Sequence, residues 1–293
     1  MRQEQATDGF RLAYDRAGPG EGAPAVVLLH GWPGDRTDYR KVVPLLSAAA
    51  DVIVPDLRGF GDSDRHPDDP GQYGASQYGA AAQARGIAGL IAELGLRRPV
   101  IAGYDIGSRT AQALARDRPG LASALVLSPP LPGIGARILG PGAQREFWYQ
   151  AFHGLDLPAE LIDGRPEAVR TYLRHFWSHW SGPGYEPGED DLDHLAAAYG
   201  RPGAFTTSIA WYRAGAGAVA ASLAEQAPDP DDRISAPTAV LWGDQDPLFP
   251  FEWSDRLGDF FTAATVTRLP GSGHFTPLER PRQFAAAVAA ALG

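Results

Sequence analysis

The chain has 293 residues, is 44% hydrophobic and 21% charged, and carries a formal net charge of −9. This composition is that of an ordinary globular protein, and the acidic balance argues against nucleic-acid binding, which needs a basic face. The absence of cysteine excludes disulfides, thiolate metal sites and a cysteine nucleophile.

Short apolar runs alternate with helical patterns along most of the chain. Residues 9–17 alternate apolar and polar side chains, which predicts an antiparallel edge strand. Apolar runs predict buried strands at 25–30, 51–55, 100–102, 124–127, 238–242 and 265–269. Helical patterns cover 37–48, 77–94, 108–117, 252–261 and 282–292. This alternation predicts an α/β fold with a mostly parallel sheet flanked by helices on both faces.

The alternation stops between about Pro129 and Asp232, where no clear strand is present and aromatic residues are frequent. Pro/Gly-rich stretches bound this interval, which reads as several short helices. We expect a core domain at 1–130 and 231–293, with a helical cap inserted at 131–230. A second small helical domain is the alternative, and the two interpretations overlap because a cap also needs a core.

The most informative motif is the glycine-flanked turn Gly103–Gly107, which follows the predicted strand 100–102 and opens a helical pattern. Strand, tight turn and helix with these glycines are the layout of a nucleophile elbow, a strained turn that lifts one side chain above the sheet. Its central residue is Asp105 rather than serine. A carboxylate nucleophile attacks carbon and forms an ester, so an epoxide or alkyl halide is the expected substrate.

Hydrolysis of such an ester needs a base, a group that orients the base, and donors for the oxyanion. The base candidate is His274, in a loop after the last predicted strand. Two carboxylates, Asp244 and Asp246, follow the strand 238–242 and compete as the orienting acid. The backbone N–H groups of Trp32 and Ile106 are the candidate oxyanion donors. Nucleophile, acid and base then follow one another in the chain order known for such elbows.

Glycine-rich or charged motifs stand at the ends of these predicted strands. Taken together, these motifs resemble those of the epoxide hydrolase and dehalogenase branch of the α/β-hydrolase superfamily. The resemblance covers nearly the whole chain and implies the α/β-hydrolase fold with an inserted helical cap. It also favours Asp246 as the acid, because the family carries the acid directly before this proline. The motifs are His30–Gly34, Asp56–Asp64, Gly103–Gly107, Trp242–Pro247 and Gly273–Phe275.

The resemblance leaves several chemistries open. Haloalkane dehalogenases usually have tryptophan after the nucleophile, whereas Ile106 has no side-chain donor for a halide. Fluoroacetate-type dehalogenases carry two arginines, of which only Arg109 is present. Epoxide hydrolases use two cap tyrosines that protonate the epoxide oxygen, and the resemblance puts Tyr212 and Tyr149 in those roles. A phenol suits this task because it donates a proton yet stays neutral at pH 7.

We therefore expect an epoxide hydrolase that needs no cofactor or metal and acts on a small, apolar or aromatic epoxide. A dehalogenase is the alternative, and a lyase, isomerase or non-catalytic ligand receptor on the same fold would be a different class. Tyr104 stands where the family usually has histidine, so its effect on the site stays open. The residues expected to line the substrate are Trp32, Trp148, Phe152 and Trp211.

The N-terminal residues, the apolar runs and the arginine content indicate where the protein acts and with what partners. The N-terminal residues form no apolar signal core, and no apolar run could span a membrane. Arginine far outnumbers lysine, which is typical of a GC-rich bacterial genome. We expect a cytoplasmic bacterial protein, a monomer or homodimer, without membrane or nucleic-acid partners.

Overall fold

The computed structural model describes residues 2–3, 8–66 and 74–293. Its strands form one sheet of eight in the order β1-β2-β4-β3-β5-β6-β7-β8. The first two pairings, β1 with β2 and β2 with β4, are antiparallel, and all others are parallel. The strands are β1 Arg2–Gln3, β2 Ala13–Ala17, β3 Ala25–Leu29, β4 Asp51–Pro55, β5 Val100–Gly103, β6 Ala124–Leu127, β7 Thr238–Gly243 and β8 Ala264–Leu269.

Every strand that the sequence predicts is present, and the mostly parallel α/β sheet is confirmed. The predicted edge strand is shorter at its start, because only residues from Ala13 onward pair with β4 or β1. Strands β3, β4, β5 and β6 are buried along their whole length, as parallel strands with both faces covered require. Strand β1 is an addition that no sequence pattern indicated.

Helices flank this sheet in two packed pairs. Helix α2 packs on α3, which contacts β3 and β5, and α1 packs on α13, which contacts β5, β6 and β7. The helices of the core are α1 Val43–Leu46, α2 Ala80–Glu93, α3 Asp105–Asp117, α12 Thr276–Glu279 and α13 Pro281–Ala291.

Two predicted helices differ from the structure. The pattern at 37–48 is divided into a 3₁₀ turn at Arg36–Tyr39 and the short helix α1. Pro44 explains the division, because proline lacks an N–H and is tolerated only in the first turn of a helix, which is where it lies in α1. The pattern at 252–261 forms a 3₁₀ helix, Phe251–Asp259, rather than an α-helix.

All described elements between β6 and β7 are helical. The rings of this helical part pack on one another and on the core, and the indole N–H of Trp177 donates to the carbonyl of Pro33 at 2.8 Å. None of the helices in the described ranges is long and apolar enough to cross a membrane. The α-helices here are α4 Pro141–Glu146, α5 Trp148–His153, α6 Leu157–Ile162, α7 Pro166–Trp180, α8 Glu189–Tyr199, α9 Ala204–Ser208, α10 Ala210–Arg213 and α11 Ala218–Ala224.

Candidate active site

Asp105 is the first residue of α3 and has a φ of +50°, a left-handed conformation that is strained for a residue with a side chain. The glycines beside it allow the turn. A Cβ on Gly103 would lie 2.7 Å from the carbonyl carbon of Gly107, and one on Gly107 would lie 2.1 Å from the carbonyl oxygen of Leu29. The close approach of α3 to β3 and β5 therefore requires glycine at both positions, and it fixes where the Asp105 carboxylate stands.

The two carboxylate oxygens of Asp105 have different partners. The backbone N–H of Trp32 donates to Oδ1 at 2.7 Å, and Nε2 of His274 lies 3.1 Å from Oδ2. The second expected donor, the N–H of Ile106, makes no hydrogen bond to Asp105 in this part of the described chain. One oxygen is thus held by the backbone, while the other faces the imidazole.

His274 bridges two carboxylates. Its Nδ1 lies 2.9 Å from Oδ2 of Asp246, whose other oxygen accepts from the N–H groups of Leu248 at 2.9 Å and Phe249 at 3.3 Å. The competing carboxylate, Asp244, accepts instead from the N–H of Gly271 at 2.7 Å and pairs with Arg268 at 3.3 Å. The loop after β7 therefore brings Asp246, and not Asp244, to the imidazole.

The electrostatics of this chain of groups favour a charged imidazole. Burial opposes the charge on His274, yet the carboxylates of Asp246 and Asp105 together raise its pKa to about 10. His274 is 1% exposed and Asp105 is 7% exposed, so water screens these interactions poorly. With Asp105 ionised, the ring carries a proton at neutral pH.

Contacts that the sequence did not reveal hold the His274 loop against the helical insertion, the segment between β6 and β7. The carbonyl of Trp180, the last residue of α7, accepts the N–H of His274 at 2.8 Å. The buried carboxylate of Glu279 accepts the N–H groups of Gly273 at 2.7 Å and of Gly182 and Phe275 at 3.0 Å each. The sequence signal for this contact was no more than a carboxylate five residues after the histidine.

The two predicted tyrosines meet beside this site. The rings of Tyr149 and Tyr212 pack edge to face with centroids 5.5 Å apart, and each packs against Trp32 at 5.7 Å. Burial, followed by the charge of Asp105, raises the pKa of Tyr149. Burial also raises the pKa of Tyr212, with Tyr149 and Asp105 adding to the effect. Both phenols are thus neutral donors within the electrostatic field of the carboxylate.

The four residues predicted to line the substrate differ in burial and in their ring contacts. The ring of Trp32 is fully buried at the centre of the aromatic cluster, with Phe176 5.1 Å and Trp180 6.1 Å away. Trp148 is 44% exposed, and it contacts Phe152 and Phe176.

Phe176 contacts both Trp148 and Trp32, whereas Phe152 packs on His153 and Tyr172. Trp211 is buried but shares no ring contact with the described aromatic residues around Asp105. That these three rings line the substrate therefore stays a prediction. Trp180, which packs edge to face on His274 at 5.5 Å, was missed.

Tyr104 packs its ring edge to face on that of His274, with centroids 6.3 Å apart, while its hydroxyl binds a residue outside the site. Its hydroxyl donates to Oδ2 of Asp38 at 2.6 Å, and its ring is fully buried next to Tyr39, with centroids 6.4 Å apart. A Cβ on Gly31 would lie 2.5 Å from that ring, so the turn after β3 closes over it. The larger side chain is therefore accommodated between Asp38, Tyr39 and the imidazole of His274.

Arg109 lies one helical turn after Asp105 and is buried. Its Nη1 is 3.8 Å from Oε1 of Glu225, whose other oxygen accepts the N–H of Gly133 at 2.6 Å. Burial lowers the pKa of Arg109 to about 10, although the charges of Glu225 and Asp105 oppose this. Its Nε and Nη2 have no hydrogen-bond partner in the described ranges.

A strained aspartate at the strand-to-helix turn, backed by histidine and a second carboxylate, is the arrangement of an α/β-hydrolase site. The alpha/beta hydrolase family profile matches residues 26–287. The chain belongs to the α/β-hydrolase family. The fold predicted from the motifs is therefore confirmed.

Proteins similar to this chain are named for two reactions, epoxide hydrolysis and dehalogenation. A soluble epoxide hydrolase of Corynebacterium sp. is 28% identical over 94% of this chain and 91% of its own length. A fluoroacetate dehalogenase of Burkholderia sp. is 27% identical over 87% of this chain and 83% of its own. The crystal structure of epoxide hydrolase A from Mycobacterium thermoresistibile superposes with a TM-score of 0.80 at 25% identity, covering 99% of this chain and 97% of that one. The resemblance to the epoxide hydrolase and dehalogenase branch is thereby confirmed.

Proposed function

We propose that this α/β-hydrolase opens an epoxide to a 1,2-diol through a covalent ester on Asp105. The observation that carries the proposal is the pair of neutral phenols, Tyr149 and Tyr212, in the field of the Asp105 carboxylate. An opening epoxide needs a proton on its oxygen, whereas a departing halide needs none. The similarity to epoxide hydrolases supports the same conclusion.

In the first step, Oδ2 of Asp105 attacks one ring carbon, because Oδ1 is held by the N–H of Trp32. The carbon–oxygen bond of the epoxide breaks as the Oδ2–carbon bond forms, and the oxygen takes a proton from the tyrosine pair. The product of this step is a hydroxyalkyl ester with Oδ1 as its carbonyl oxygen.

Esterification then prepares the base. The ester carries no charge, so His274 loses one of the two carboxylates that raise its pKa. It releases its proton, which replaces the proton lost by the tyrosine pair. Neutral His274, oriented by Asp246, can then act as a general base.

In the second step, His274 takes a proton from water, whose oxygen attacks Cγ of Asp105. Negative charge develops on Oδ1, where the N–H of Trp32 already points, and the N–H of Ile106 is the proposed second donor. The Cγ–Oδ2 bond breaks, His274 returns the proton to the leaving oxygen, and the diol departs with Oδ2. The new carboxylic acid of Asp105 then passes its proton to His274, which restores the starting charges.

We also propose that residues 131–230 act as the cap, and that the substrate is apolar or aromatic. The aromatic rings of Trp32, Phe176 and Trp180 around the site support an apolar occupant. The expected cytoplasmic location and the oligomeric state stay predictions.

Two measurements test the proposal. A His274→Gln variant incubated with styrene oxide or 1,2-epoxyoctane should gain the mass of one epoxide, and an Asp105→Asn, His274→Gln double variant should not. In a single wild-type turnover in H₂¹⁸O, the first diol should be unlabelled and the label should enter Asp105. A labelled first diol would rule out the covalent route, and unchanged epoxide with no adduct would favour a non-catalytic receptor.

Haloacid dehalogenation is the second candidate, and Arg109 is the observation that favours it. Two of its buried N–H groups lack partners in the described ranges, and a fluoroacetate dehalogenase is among the relatives. The salt bridge to Glu225 weighs against it, because that carboxylate already neutralises the guanidinium. Fluoride release from fluoroacetate, lost in an Arg109→Gln variant, would establish this function instead.

A further inference from the structure

Gln150 is the residue after Tyr149 and connects it to a different helix. Its Nε2 donates to the hydroxyl oxygen of Tyr149 at 3.1 Å, and its Oε1 accepts the backbone N–H of Val219 at 3.0 Å. Val219 lies in the first turn of α11, where backbone N–H groups have no partner within the helix. The Gln150 side chain therefore spans from α5 to the start of α11.

The orientation of the amide follows from these contacts. The N–H of Val219 needs an acceptor, so the amide oxygen faces α11 and the NH₂ group faces Tyr149. Gly217, the N-cap of α11, lets the amide approach, because a Cβ there would lie 2.7 Å from Oε1 and 3.0 Å from the ring of Tyr212. The start of α11 therefore fixes the Gln150 NH₂ group in a position to donate to the Tyr149 oxygen.

This contact makes the two tyrosines unequal. The Tyr149 oxygen receives a hydrogen bond from Gln150, so its own proton points elsewhere. Interactions with Gln150 and Tyr212 both lower the pKa of Tyr149, against the larger effect of burial, whereas Tyr149 raises the pKa of Tyr212. A donor that stabilises the phenolate makes Tyr149 the stronger acid of the pair.

Building on the proposed epoxide opening, we infer that Gln150 is a positioning residue that makes Tyr149, rather than Tyr212, the proton donor to the epoxide oxygen. As the ring opens, the proton leaves Tyr149 for the alkoxide, and charge develops on the phenol oxygen. The N–H of Gln150 already points at that oxygen, so it stabilises the transition state more than the ground state.

A double-mutant cycle on kcat/KM for styrene oxide tests this inference, because kcat/KM reports on the step that forms the ester. Gln150→Met removes the donor at similar length, and we expect it to lower kcat/KM about tenfold. In a Tyr149→Phe background, the same substitution should change kcat/KM less than twofold, because no phenol oxygen remains to accept the hydrogen bond. In a Tyr212→Phe background, the full loss should persist.

The cycle separates this role from a structural one. Gln150→Met also deprives Val219 of its acceptor, but that loss is the same with or without the phenol. An equal effect in the Tyr149→Phe background would therefore overturn the inference. Gln150→Glu keeps an acceptor for Val219 and removes the donor at pH 8, so it should unfold in urea like the wild type yet lose activity like Gln150→Met. Wild-type activity in this variant would also overturn it.

The outcome is distinct from that of the proposed function. If His274→Gln forms no adduct with either epoxide, the function itself fails. If the adduct forms and the cycle is additive, epoxide opening stands and only the role of Gln150 is wrong.

Discussion

The proton affinity of His274 should fall when Asp105 loses its charge, and Asp105→Asn imitates that loss without an ester. Nε2 of His274 lies 3.1 Å from the Asp105 carboxylate, which puts the two delocalised charges roughly 4 Å apart. Unit charges at that separation interact by about 4 kcal/mol at an effective dielectric constant near 20. Because about 1.4 kcal/mol is a factor of ten, we expect Asp105→Asn to weaken proton binding by His274 roughly a thousandfold.

An NMR titration of ¹⁵N-labelled histidine measures this directly, and the signal missing from a His274→Gln spectrum identifies the ring. In the wild type, His274 should stay charged until the pH nears its raised pKa of about 10. In Asp105→Asn, it should titrate several pH units lower. Identical titration in both proteins would refute the idea that esterification of Asp105 is what releases the base.

The same shift has a consequence for stability. A folded-state pKa raised from 6.5 to about 10 adds stability that is complete below pH 6.5 and is lost as the pH rises to about 10. The wild type should therefore exceed Asp105→Asn in unfolding free energy most clearly below pH 6.5. The difference, measured by urea denaturation, should shrink toward pH 10, and a constant difference would contradict the charge assignment.

Further substitutions probe the elbow and its surroundings. Tyr104→Phe removes one donor from the buried Asp38 and should lower the unfolding free energy by about 1–3 kcal/mol, with epoxide turnover changed less than threefold; a large loss of turnover would mean that the hydroxyl serves the chemistry. Gly107→Ala should cost about 3 kcal/mol or more, since its Cβ would meet a backbone carbonyl, whereas Gly142→Ala, with open space around it, should be neutral or stabilising; equal effects would refute the steric argument. Glu279→Gln should lower stability by about 2 kcal/mol, because the carboxylate accepts three backbone N–H groups, and a thermal melt like that of the wild type would contradict this.

The sheet and the elbow could be predicted because their signals are local. Apolar runs of strand length mark β3 to β7, and the glycines at 103 and 107 are required by a close approach of α3 to the sheet. The choice between Asp244 and Asp246 was not local. It depends on how the loop after β7 turns, and only family resemblance favoured the residue that reaches His274.

The parts that escaped prediction depend on contacts between distant segments. Which aromatic ring between β6 and β7 faces the site is decided by how the helices there pack. Trp148 was expected to line the substrate and is 44% exposed, while Trp180, for which the sequence predicted no role, packs on His274. Gln150 and Glu279 gave no periodic signal, because their partners lie in other elements of the chain. Buried polar side chains of this kind become visible only when their hydrogen bonds are known.

The attachment of the His274 loop to the end of α7 limits how the insertion can be exchanged between relatives. The N–H of His274 binds the carbonyl of Trp180, and Glu279 binds N–H groups on both sides of that boundary. A chimera with a foreign helical segment between β6 and β7 would lose hydrogen bonds that position the loop of His274. Such chimeras should keep Trp180 and Gly182 together with the His274 loop and Glu279. The helical segment and the sheet therefore cannot be exchanged independently where these residues meet.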